Sequence, residues 1–172
     1  MSKNAVTSPS HTLSVLVSHN LNTFSRIIGI FSGKGFEIDS ISLGPEADPR
    51  QARITLTTHG DEKVIEQVCK LLHNVVDVLK VTDLTHEKNI ARELALVKVA
   101  TNPSNRSDIM MISQAFRAKV VDISSGKLAF EVTGNKDKID AFISVLKPFG
   151  VSEVARTGSV ALKREFQSPH PN

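Results

Sequence analysis

The sequence predicts an α+β fold in which one order of elements, β-α-β-β-α-β, occurs twice in succession. Two observations carry that expectation. Apolar residues switch between alternation at every second position and recurrence at i, i+3, i+4 and i+7, and the switches come in the same order in both halves. Capping candidates also stand before the helical stretches. The length of 172 residues suits one ordinary domain or two small ones.

Residues 1–10 are small and polar and are expected to be disordered, as is the tail 166–172. HTLSVLVS (11–18) is apolar and β-branched enough for a buried strand. Asn22 is the expected N-cap of the next helix. Phe24, Ile27, Ile28 and Phe31 share one face of it, and Gly33 and Gly35 stop it. FEIDSISLG (36–44) reads as a strand whose alternation slips near Ser40, which predicts a bulge or strong twist. PEADPRQ turns the chain into ARITLTTHG (52–60), a strand with clean alternation, so the two form a hairpin. Asp61 caps a helix over 62–73 with Val64, Ile65, Val68 and Leu72 on one face, and VVDVLKVTDL (75–84) is the fourth strand.

The polar run THEKNIARE (85–93) reads as a connector, and then the pattern repeats. LALVKVA (94–100) is a strand, 109–116 a helix, and 118–124 with 127–134 a hairpin across Ser125-Gly126. Residues 138–146 form a helix with Ile139, Phe142, Ile143 and Leu146 aligned, and 151–162 is the last strand. Each half is a split βαβ, or ferredoxin-like, unit spanning 11–84 and 94–165. Units this small have thin cores, and each sheet leaves two open edges. Pairing between copies answers both needs, so a homodimer is expected.

Composition excludes several classes. Charged residues are 23% and hydrophobic ones 40%, which suits a soluble globular protein. No apolar run approaches the roughly 18 residues of a membrane span. The opening MSKNAVTSPS lacks the apolar core of a secretory signal, so a cytoplasmic protein is expected. The net charge of +3 is scattered, which does not indicate nucleic-acid binding. Of aromatics on the strands, only Phe36 and Phe130 are candidates for stacking bases. Cys69 is the single cysteine and reads as a partly buried thiol on a helix rather than a nucleophile. The six histidines show no metal-ligand spacing and are expected at the surface. No nucleophile–base or paired-carboxylate motif stands out, so a stand-alone enzyme is not expected.

The turn SHNLNT (18–23), between the first strand and the first helix, is the informative local feature. A helix N-terminus offers free N–H groups and a positive dipole end to an anion. Such a turn commonly carries a glycine that lets a ligand approach the backbone, and this one carries none.

The stretches HTLSVLV, SRIIGIFSGKGFEIDSISLGP, GDEKVIEQVCKLLHNVVDVLKVTDL, RELALVKV, FRAKVVDIS, EVTG, KIDAFI and PFGVSEVARTGSVAL, in this order and spacing, resemble the small regulatory subunit of acetolactate synthase (acetohydroxyacid synthase). The resemblance spans about 11–164. It implies an N-terminal ACT domain, which is the first βαββαβ unit, and a C-terminal ferredoxin-like domain. It implies a chain that is not catalytic alone and holds no cofactor. Its partner would be a large subunit carrying thiamine diphosphate, Mg²⁺ and FAD. The small subunit would raise that partner's activity and transmit feedback by valine or another branched-chain amino acid, bound where two ACT domains meet. The implied effector contacts are His19, Asn20, Leu21, Asn22, Thr23 and Phe24 in the turn, with Glu37 and Ile38 at the start of the second strand.

The turn departs from the family pattern, which reads Glu-Asn-Glu-Pro/Ser-Gly-hydrophobic-Leu before Ser-Arg. Aligned on Ser25-Arg26, the family's effector-binding Asn falls on His19 and its Gly on Asn22. A second effector-binding Asn falls on Glu37. Asn22 adds a side chain where a ligand approaches, and capping its own helix would compete with that ligand. Glu37 would repel a bound carboxylate. Two unit charges about 5 Å apart at an effective dielectric near 20 repel by roughly 3 kcal/mol, over a hundredfold in affinity. The leading expectation is that this turn binds a valine-type effector poorly; a different small ligand, or valine held by rearranged contacts, stays open. A free-standing amino-acid sensor acting on another enzyme or on transcription is the alternative function.

Overall fold

Strand β1 (Ser10–Ser18) sets the architecture of the first unit. Its alternation turns Leu13, Val15 and Val17 to one face, each no more than 2% exposed. There they meet Ile27 and Phe31 of helix α1 (Leu21–Lys34) and Ile65, Val68 and Leu72 of helix α2 (Glu62–His73). Both helices therefore cover the same face of the sheet. Each such side chain stabilises the fold by about 1.5–3 kcal/mol through burial.

The structure, a computed structural model, describes residues 9–165; the expected tail 166–172 and residues 1–8 of the expected tail 1–10 lie outside the described residues. Two compact units emerge, one holding the chain up to Ile90 together with the residues from Val160, the other Ala91–Ser159. In the first, β1 is flanked by β3 (Gln51–His59) and β4 (Val78–Asp83), and β2 (Ile38–Pro45) pairs with β3, giving the antiparallel order β2-β3-β1-β4. The expected slip in β2 falls between Ile38 and Ser40. Asp61 caps α2, accepting from the Val64 N–H at 2.8 Å. Gly35 ends α1 at φ 70°, a left-handed conformation that a side chain disfavours, and the Phe36 N–H closes on the Phe31 carbonyl. Gly33 lies inside the helix. β4 starts at Val78 rather than Val75, because 74–77 is a turn whose Val75 and Val78 N–H groups bond to Leu72 and Val75 carbonyls.

The second unit repeats the order as β6-β7-β5-β8, built from β5 (Asn89–Ala100), β6 (Lys119–Ile123), β7 (Lys127–Gly134) and β8 (Val151–Arg156). Ala95, Val97 and Val99 of β5 and Leu128, Phe130 and Val132 of β7 face α3 (Arg106–Ala115) and α4 (Lys136–Leu146). α3 starts three residues before the expected Ile109, because Asn102 Oδ1 gathers the N–H groups of Ser104 and Asn105 and turns the chain early. Arg117, at φ 53°, ends α3 in the left-handed region where glycine is usual.

Two further expectations need correction. The polar run 85–93 is not all connector, since β5 begins at Asn89, whose side chain donates to the Leu84 carbonyl at 2.7 Å. The last strand is not continuous over 151–162. It breaks at 157–159, where Thr157 exchanges bonds with Leu94 through both backbone and hydroxyl. The chain resumes as β9 (Val160–Lys163) in the first unit, where Arg164 N–H donates to Lys88 and Lys163 pairs with Glu87 at 2.9 Å.

Candidate functional site

The turn between β1 and α1 closes on itself. Asn20, in extended backbone conformation, is the N-cap, and its Oδ1 accepts the Asn22 N–H at 3.0 Å. Asn22 is therefore not the cap; it sits in the first helical turn with its backbone N–H already used. The helix starts ahead of the apolar stripe because the side-chain oxygen of Asn20, not the stripe, fixes the first turn. Thr23 N–H bonds to the Asn20 carbonyl.

His19 is tied down on the other side. Its N–H donates to the Arg50 carbonyl at 2.8 Å, and its Nδ1 lies 3.2 Å from the Pro49 carbonyl. Those partners belong to the 46–50 turn, where Arg50 beside Asp48 holds that carboxyl below its ordinary value. The contacts of His19 thus go to backbone oxygens of its own chain.

Asp77 is the residue that sequence reasoning missed. Thr23 is fully buried, and its hydroxyl donates to Asp77 Oδ2 at 3.0 Å. The Ser18 N–H donates to the Asp77 carbonyl at 2.9 Å. α1 has no acidic residue in its own first turn. Asp77, 54 positions away, brings a carboxylate to the positive end of the helix dipole. No local signal marks this role: Asp77 is one acid inside the apolar stretch VVDVLKV. The helix start thus has its Asn22 and Thr23 N–H groups already bonded and a carboxylate beside it.

The two parts of the expected effector set do not meet within one protomer. Ser18, next to the turn, pairs with Gln51, whereas Ile38 pairs with Thr58. Those partners are seven positions apart along β3, about 24 Å of strand. His19, Asn20, Leu21, Asn22, Thr23 and Phe24 thus lie at one end of the sheet, and Glu37 and Ile38 at the other. Leu21 is 80% exposed at the turn, and Leu43 on the β2 edge is 47% exposed.

Other candidates resolve simply. Burial pushes the Cys69 thiol up, and Asp83 adds to the shift, so it is protonated at neutral pH and no nucleophile. Phe130 is fully buried, and Phe36 stands edge-on to Phe31 at 6.1 Å, so both pack inward rather than presenting a face to bases. His11 departs from the expected surface placement: it is 2% exposed, because alternation along β1 puts it on the helix-covered face. No described helix is long and apolar enough to cross a membrane.

Removing the cap gives a direct check on this geometry. Asn20→Ala is expected to lower unfolding stability by about 1 kcal/mol in denaturant titration, the usual cost of losing a side-chain cap.

Comparison with known proteins agrees with this architecture. A family model described as an AHAS small subunit-like ACT domain matches residues 13–80, and one described as the small subunit of acetolactate synthase matches 92–165. The acetolactate synthase small subunit of Aquifex aeolicus is 45% identical over 157 residues, covering 91% of this chain and 82% of its own length. The probable acetolactate synthase small subunit of Methanothermobacter thermautotrophicus is 43% identical over 155 residues, covering 90% and 92%. The crystal structure of the acetolactate synthase small subunit from Thermotoga maritima superposes with a TM-score of 0.84 at 34% identity, over 92% of this chain and 99% of that one.

Proposed function

This chain belongs to the acetolactate synthase small-subunit family, and from that premise we propose that it is the non-catalytic regulatory subunit of that enzyme, working in the cytoplasm. It raises the activity of a large subunit that holds thiamine diphosphate, Mg²⁺ and FAD. The carrying observation is the tandem order: an ACT match over 13–80 is followed by a small-subunit match over 92–165, the two together reaching most of the chain. A free-standing sensor is not favoured, because the second module matches the small-subunit family itself.

In this reading two copies pair through the β2 edge of the first unit. β2 ends at Pro45, opposite Ala52, on the same end of the sheet as the His19 turn. A two-fold axis across β2 runs the two edge strands antiparallel. The start of one copy's β2, with Glu37 and Ile38, then comes beside the turn of the other. That pairing assembles the effector contacts that one protomer keeps about 24 Å apart. It also buries Leu43 on the open edge.

The turn's own bonds weaken that site for a valine-type effector. Asn20 holds one N–H, Asp77 supplies the negative charge, and Glu37 faces the seam in place of an amide. Activation in this reading proceeds without valine feedback, through contacts stronger with the active state of the large subunit.

The experiment is reconstitution. A large subunit is assayed for acetolactate formation alone and with saturating amounts of this chain. A rise in rate of several-fold is expected; an unchanged rate and unchanged affinity for thiamine diphosphate contradict the reading.

A further inference from the structure

A second site lies on the first unit, away from the turn. Glu62, Ile65, Glu66 and Cys69 form one stripe of α2, and this stripe faces Asp83 at the end of β4 across a cleft of about 370 Å³. His11 of β1 and His86 complete the lining. Three carboxylates line this cleft. Lys70 is paired with Glu66 at 2.7 Å, and Thr85 bonds Asp83 through its N–H at 2.8 Å. His86 lies 3.9 Å from Glu62.

His11 gives the independent observation. Its Nε2 lies 3.1 Å from the Gly60 carbonyl, which can only accept, so Nε2 carries the ring proton. In the neutral imidazole Nδ1 is then an acceptor. It is buried and has no hydrogen-bond partner among the described residues, in a residue only 2% exposed. A buried acceptor without a donor is unfavourable and is satisfied by a donor from outside the chain, a water or a ligand N–H. Reaching it takes a side-chain movement. His86, 72% exposed on its side chain and edge-on to His11 at 6.3 Å between ring centroids, is the lightly held neighbour.

From these residues we infer that the cleft binds a small organic ammonium ion, whose N–H donates to His11 Nδ1 while Glu62, Glu66 and Asp83 attract its charge and Ile65 and Cys69 cover its carbon body. The excess of negative charge argues against a carboxylate ligand. Among the described residues no three His, Cys, Asp or Glu side chains are arranged to hold a metal ion.

The test needs no large subunit and so stands apart from the regulatory reading. The full-length chain, with nitrogen-15 histidine, is titrated with isobutylamine at about pH 8, where imidazole is neutral and the amine charged. Isobutyrate and sodium chloride at matched ionic strength are the controls. The His11 Nδ1 resonance is expected to move saturably with a millimolar midpoint for the amine and to stay in place for both controls. The exposed pair Glu62→Gln with Glu66→Gln is expected to weaken binding about tenfold without disturbing the buried core. The inference is overturned if His11 does not respond saturably to the amine, if isobutyrate moves it equally, or if the double variant binds as well.

Discussion

His19→Asn, Asn22→Gly and Glu37→Asn, combined in one chain, are expected to raise valine affinity about a hundredfold in calorimetric titration. The magnitude comes mainly from Glu37. A carboxylate about 5 Å from the effector's own repels it by roughly 3 kcal/mol at a surface-like dielectric. Asn22→Gly opens the backbone to the ligand but does not release the N–H held by Asn20, so displacing that cap still costs about 1 kcal/mol. Glu37→Asn alone should therefore recover most of the gain, and the other two changes should add less. Because Glu37 is about 24 Å from the turn within a protomer, its effect on valine also reports on pairing between copies. Affinity unchanged by Glu37→Asn would mean that the β2 edges do not meet as proposed.

Arg156→Ala is expected to destabilise the second unit by about 1–3 kcal/mol. Arg156 of β8 holds Glu93 through its Nε at 2.6 Å and Asp140 of α4 through another guanidinium nitrogen at 2.6 Å. Glu93 is 8% exposed, so truncation strands a carboxylate in a poorly solvated position, and this dominates the lost Coulomb attraction. Asp140 is half exposed and contributes little. Glu93→Leu combined with Arg156→Met removes both charges and should cost less than Arg156→Ala alone. Chemical denaturation of the three proteins checks the order. A double variant as unstable as Arg156→Ala, or more so, would show that packing, not the buried charge, accounts for the loss.

What was legible in the sequence is what local chemistry decides. Strand β1 and helix α2 could be read because their apolar spacing and the Asp61 cap all lie within a dozen residues. The hairpin of β6 and β7 announced itself at Ser125-Gly126, and the irregularity in β2 at Ser40. The misplaced features depend on partners distant in the chain or on competition between neighbours. Asn20 and Asn22 are both reasonable caps by residue type, and only the extended backbone at Asn20 decides between them. The break after Arg156 depends on Thr157 bonding to Leu94, 63 positions earlier. Asp77 reaches the β1–α1 turn across 54 positions, and His11 is buried through its place on the helix-covered face of β1. The candidate site was proposed because its turn departs from a known pattern. Its state, capped and already holding a carboxylate nearby, required three dimensions.

The most direct test of the central claim is a valine titration of the reconstituted enzyme. Acetolactate formation by a large subunit saturated with this chain is followed as valine rises. The self-capped turn predicts a stimulated rate that stays level across the range in which the chain carrying His19→Asn, Asn22→Gly and Glu37→Asn becomes inhibited. A stimulated rate that falls to that of the large subunit alone at the same valine concentrations for both chains would contradict it.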